Sequence, residues 1–169
     1  METIIFGKYP QGKNGEIAPL VWRVLDCTEK GIVIITEKII DCKPFNENGK
    51  SCLWDTCSLR LWLENEFMSN AFSADEKERI QRIFLLNNEE VYKYFDGDED
   101  RLAAPTDYAK EQGVLEYDGN KKSWWWSSTV NSEKTHVAFI SYDGFLFRVG
   151  RKGNATNYGV RPAILLRKI

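Results

Sequence analysis

Val137-Ala-Phe-Ile-Ser-Tyr142-Asp143-Gly144-Phe145-Leu-Phe147-Arg148-Val149 decides the fold class. Two stretches rich in β-branched and aromatic residues flank Asp143-Gly144. Asp-Gly favours the left-handed backbone of a two-residue hairpin turn, so the reading is a pair of antiparallel strands. Upstream, Trp124 to Ser128 reads as another strand. Downstream, Gly150 to Asn157 is a polar, glycine-containing loop, and Val160 to Leu166 is a final strand. Pro162 falls near that strand's beginning, where a missing amide is tolerable.

The N-terminal end is also strand-like. Ile4-Ile5-Phe6 precedes Gly7 and the turn Pro10-Gln11-Gly12, Val21 to Leu25 alternates, and Ile32 to Ile35 is continuous and β-branched, as in a strand buried on both faces. Helical signals fill the middle. Leu59, Trp62, Leu63 and Phe67 recur at steps of three and four, which puts one helix face inward. Ser73 to Glu76 fits a capping box and predicts a short helix through Ile80. Asn87 to Glu90 caps another helix that ends at Asp96-Gly97, and Thr106 caps a last one stopping at Gly113. Strands, then helices, then strands predict an α+β fold: a mainly antiparallel sheet with the N- and C-terminal strands paired and helices to one side, in one domain spanning 1–169.

The 169 residues need no staple to bury a core, since a chain of this length buries roughly 70% of its unfolded surface. The net charge of −2 gives no basic excess to attract nucleic acid or an anionic membrane. No apolar run is long enough to span a bilayer, and no basic stretch followed by an apolar one opens the chain, so a cytoplasmic location is expected. Cys27, Cys42, Cys52 and Cys57 form no Cys-x-x-Cys pair. They read as reduced, small apolar residues, with a four-cysteine zinc site as the less favoured reading.

No nucleophile motif stands beside the single His136. Asp96-Gly-Asp98-Glu-Asp100 resembles the start of a calcium loop, but Arg101 and Asp107 occupy the positions that need Gly and Glu. It therefore reads as a solvated acidic loop. In Trp124-Trp125-Trp126, alternation puts Trp125 opposite the other two. At least one side is core, and the other is either core or a partner-facing aromatic surface.

Ser123-Trp124-Trp125-Trp126-Ser127-Ser128, the hairpin, and Gly159-Val160-Arg161-Pro162-Ala163 together resemble an uncharacterised bacterial family of C-type-lectin-like domains. Ile5-Phe6-Gly7-Lys8-Tyr9-Pro10, Trp22 to Leu25, Ser58 to Leu63, Phe67 and Ala71-Phe72 extend the resemblance over nearly the whole chain. The ending is also similar to the sulfatase-modifying (formylglycine-generating) fold and to the variable proteins of diversity-generating retroelements. Ser127 stands where the family usually has Arg, so no role carries over to it. No Cys follows Cys57, which leaves the formylglycine-generating chemistry unsupported, and the calcium-lectin triplets Glu-Pro-Asn, Gln-Pro-Asp and Trp-Asn-Asp do not occur.

By resemblance to the retroelement proteins, ligand contacts fall on Tyr142, Phe145, Phe147, Arg148, Arg151, Asn154, Asn157 and Tyr158. That mixture of residues suits an adaptable recognition surface. Arg161 reads as structural, an arginine whose several donors satisfy backbone carbonyls. The function expected is a non-catalytic, metal-independent binding module without a cofactor. Its expected partner is a protein, with a glycan as the less favoured reading, recognised through the C-terminal hairpin and loop. The alternative is an enzyme or enzyme-like domain on the sulfatase-modifying scaffold.

Overall fold

The apolar run Ile32–Ile35 lies in β3 (Gly31–Thr36), at the centre of a five-stranded sheet. In the computed structural model, which describes residues 1–168, the order of this sheet is β1 (Thr3–Pro10), β2 (Ile17–Thr28), β3, β10 (Ala163–Leu166) and β5 (Ile80–Phe84). Every pairing in it is antiparallel. Ile34 packs into one core cluster and Val33 and Ile35 into a second on the opposite face. A strand covered on both sides has no need of polar alternation, which is why this run is unbroken. β10 lies between β3 and β5, so strands from both ends of the chain share one sheet, as the sequence predicts.

A second five-stranded sheet holds β4 (Asp41–Cys42), β9 (Gly159–Val160), β6 (Trp125–Val130), β7 (His136–Ile140) and β8 (Leu146–Lys152). Only β6 and β9 pair in parallel. The architecture is therefore α+β, but with two mostly antiparallel sheets where the sequence suggested one. The expected final strand Val160–Leu166 is two strands in different sheets. The chain leaves the second sheet after Val160 and enters the first at Ala163.

Arg161 braces this crossing. Only 2% exposed, it donates from Nε to the Thr36 carbonyl (2.8 Å), from Nη1 to that of Arg101 (3.3 Å) and from Nη2 to that of Glu37 (3.5 Å). Its guanidinium lies over the rings of Trp125 and Phe95. Burial pushes its pKa down to about 10, so the group stays charged at neutral pH.

The hairpin forms where expected, but its loop is Tyr142–Gly144, one residue longer than a two-residue turn. Ser141 N–H donates to the Phe145 carbonyl and Gly144 N–H to that of Ser141 (both 2.9 Å). Gly144 takes φ +85°, while Asp143 is not left-handed. This is a type I turn closed by one left-handed residue. A Cβ at Gly144 would collide with the Asp98 carbonyl oxygen, so tertiary contact as well as φ demands glycine.

The central helix starts at α1 (Ser58–Trp62), widens into a π-helical turn (Leu63–Phe67) and ends as α2 (Met68–Ala71). Leu59, Leu63 and Phe67 all point inward. The expected capping boxes at Ser73 and Asn87 are both formed, starting α3 (Ala74–Arg79) and α4 (Asn88–Tyr94). Thr106 caps α5 (Asp107–Glu111). The helix after Ser73 stops one residue earlier than predicted. Ile80 opens β5, whose β-branched residues gain more from pairing with β10 than from another helical turn.

Trp125 and Trp126 face opposite sides, as alternation requires, and both are fully buried. Trp125 belongs to the cluster with Phe95, and Trp126 to the one with Phe45 and Tyr158. Neither forms a partner-facing surface.

Cys42, Cys52 and Cys57 are buried, and Cys27 is exposed. Desolvation pushes the Cys42 and Cys57 thiols up to about 11 and raises that of Cys52. The thiolate is the reactive form, so a thiol reagent at neutral pH is expected to titrate Cys27 alone in the native chain and the other three only after denaturation. Fast native reaction at Cys42, Cys52 or Cys57, mapped by mass spectrometry, would contradict these placements.

Candidate functional site

The residues assigned by resemblance to a recognition surface all lie on or just after the β7–β8 hairpin, but they do not share one face. β8 forms the outer edge of the second sheet among the described residues. Phe147 stacks on Phe139 at 5.1 Å with the rings nearly parallel, and Phe145 meets Phe147 edge-on at 4.9 Å. Phe145 and Phe147 are exposed, and Val149 beyond them is 84% exposed. Tyr142, at the turn, is half-buried and stacks on Tyr117 at 4.0 Å.

Arg148 turns to the opposite side. It lies over the Tyr92 ring of α4, beside a cleft of about 510 Å³ that Asn87, Asn88 and Thr129 also line. Arg151, Asn154 and Asn157 are exposed. Tyr158 is not. It is 6% exposed and packs at 4.6 Å on Trp126 and 4.9 Å on Phe139. This corrects its assignment from accessible contact to floor: the side chain supports the surface from beneath.

The acidic stretch is largely solvated, as expected: Asp96, Asp98 and Glu99 are exposed and Asp100 is half-buried. Asp100 pairs with Arg23 at 2.8 Å, and Asp98 with the buried Arg101 at 2.9 Å. Of these two, it is Asp100 that is drawn toward the body of the protein, by an arginine 77 positions away in sequence.

A second candidate site escaped the sequence reading. In β1, Phe6 and Tyr9 are both buried although three positions apart, a spacing that ordinary alternation forbids. The register with β2 shifts between Ile5 and Lys8, and Gly7 within that bulge takes φ +70°. A Cβ on Gly7 would lie 2.6 Å from the Phe72 ring. The bulge turns Tyr9 inward, where its hydroxyl donates to Asp41 Oδ2 at 2.5 Å. The Cys42 amide donates to Asp41 Oδ1 at 2.7 Å.

Asp41 is 3% exposed, and among the described residues it forms no ion pair. Burial raises its carboxyl above the ordinary carboxylate range, which its two hydrogen bonds and nearby Lys43 only partly oppose. Burial likewise pushes the Tyr9 phenol up. Tyr9 and Asp41 border a cleft of about 380 Å³, with Trp62, Phe67 and Tyr108 as its aromatic lining. Tyr9 alone gave no chemical signal in sequence, and Asp41 was one of 25 acidic residues. Only the bulge and the β4–β9 pairing bring them together.

Among the described residues, no helix is long and apolar enough to cross a membrane. A family model described as a domain of unknown function (DUF6273) matches residues 30–91 and 81–168. No curated protein and no solved structure matches the chain.

Proposed function

The chain belongs to the DUF6273 family, and from that premise we propose that it is a non-catalytic binding module on a C-type-lectin-like scaffold, recognising a protein partner through the β7–β8 hairpin and the loop that follows. The meeting of both chain ends in one sheet, beside a second sheet that carries the hairpin, supports the scaffold. The observation that carries the function is the composition of the β8 edge. Phe145, Phe147 and Val149 are exposed there, with the basic Arg151 and Lys152 at the strand's end and Arg148 on its opposite side. An edge strand offers unpaired backbone groups to an added strand, and its side chains select which strand it accepts. Exposed aromatics with nearby basic residues call for a partner segment that combines apolar and acidic residues. Tyr158, Phe139 and Trp126 hold this edge rigid from below, which lowers the entropy lost on binding.

The test begins with capture of partners from the native host and their identification by mass spectrometry. Affinity for the identified partner is then measured directly. Phe147→Ala and Arg151→Ala are each expected to weaken it by about 1 kcal/mol or more, with melting temperature nearly unchanged. Binding is expected to fall with added salt and to be indifferent to chelator. Binding that survives both substitutions but fails on changes along α4 would overturn this reading.

A further inference from the structure

We propose that the cleft between β1, the Asp41–Lys43 segment and the central helix binds an alkylated ammonium group, with Asp41 as its counter-ion and Trp62, Tyr9 and Tyr108 as its aromatic lining. This site is separate from the hairpin surface, and neither reading depends on the other.

Three observations converge on a cation. The first is the carboxylate: Asp41 reaches the cleft yet is almost completely buried and has no ion-pair partner among the described residues. A buried charge of this kind is costly unless a counter-charge arrives. Its two hydrogen bonds use one lone pair on each oxygen, and each oxygen retains a second. The second is the aromatic lining. Tyr9 meets Tyr108 edge-on at 5.8 Å and Trp62 at 6.4 Å, and Phe67 closes the base. Electron-rich ring faces attract cations, and they favour alkylated ones that shed water easily.

The third observation is that the chain's own ammonium already exploits this lining. Lys43 Nζ lies over the Trp62 ring, 4.9 Å from its centroid. The Trp62 face therefore accepts a cation in this setting. Lys43 is half-buried on a flexible stem, so a ligand able to contact Asp41 as well can displace it. A neutral alcohol of the same shape would satisfy the cavity volume but not the carboxylate.

The charge arrangement also gives binding a pH dependence. The groups around Asp41 are Tyr9 and Lys8 from β1, Cys42 and Lys43 from its own segment, Glu66 from the π-helical turn and Tyr108 from α5. Burial raises the Asp41 carboxyl, and a bound cation favours its ionised form. Affinity therefore rises as pH climbs through that raised range, with a proton released on binding. Glu66 also lines the cleft, so the Asp41→Asn chain, and not the wild-type profile alone, assigns the effect.

The experiment uses choline and its carbon isostere 3,3-dimethylbutan-1-ol as probes, with the indole N–H resonance of Trp62 and calorimetry as readouts. Choline is expected to bind saturably in the millimolar range, and the isostere about tenfold more weakly. Asp41→Asn is expected to lose about the same factor and to flatten the pH profile. Lys43→Met frees the Trp62 face and removes a competing charge, so it is expected to tighten choline binding. That gain cannot come from a misfolded chain. Equal binding of choline and the isostere, no saturable shift at millimolar choline, or weaker binding to Lys43→Met would each overturn the proposal.

Discussion

Trp125→Ala is expected to destabilise the fold by about 3–5 kcal/mol, the range for truncating a large aromatic in a core. Trp125 is fully buried in the cluster that joins α4 to the second sheet, with its ring 6.2 Å from Phe95. Its indole N–H donates to the Arg101 carbonyl at 3.3 Å, and the Arg161 guanidinium rests on its face at 4.9 Å. Truncation leaves a cavity between helix and sheet, an acceptor short of a donor and a buried cation without its ring. For a chain of this size the loss corresponds to a fall in melting temperature of roughly 10 °C, read by thermal unfolding. A change of only a few degrees would show that Trp125 is not the wedge between these layers.

Arg161→Ala is the second large effect, expected at about 3 kcal/mol because two buried carbonyls and a third, partly buried one lose a donor at once. Thr36, Glu37 and Arg101 contribute those carbonyls, and they lie at the end of β3 and in the turn before Leu102. Arg161 thus ties the crossing between the sheets to two other parts of the chain. Arg161→Lys keeps the charge but not the planar fork, so it is expected to recover only part of the loss. Because Arg161 and Trp125 touch, the double substitution should cost less than the two single effects added together. Strict additivity in a double-mutant cycle would mean that the guanidinium gains nothing from the indole.

Local chemistry was legible without the fold. The capping boxes at Ser73 and Asn87, the Thr106 cap and the unbroken run Ile32–Ile35 each depend on residues within one or two turns, and each stands as read. The opposition of Trp125 and Trp126 follows from the geometry of a single strand. The structural role of Arg161 was also legible, since an arginine beside a proline in a terminal strand has donors to place and few local acceptors.

What the sequence could not determine depends on which distant surface covers a segment. Alternation puts the tryptophans on opposite sides, but whether either side meets a partner or the core depends on α4 and the first sheet arriving there. The same rule holds for Tyr158, a residue type at home on a binding surface that here is capped by Trp126 and Phe139. The division of Val160–Leu166 between two sheets was invisible because each half satisfies strand propensity and only long-range hydrogen bonds assign it a neighbour. The Tyr9–Asp41 site is the clearest case. It joins residues 32 positions apart through a bulge and a two-residue strand, and neither feature has a periodic signal. Short-range physics writes caps, periods and turns into consecutive residues, whereas burial and ion-pair partners are properties of surfaces that exist only once the chain has closed.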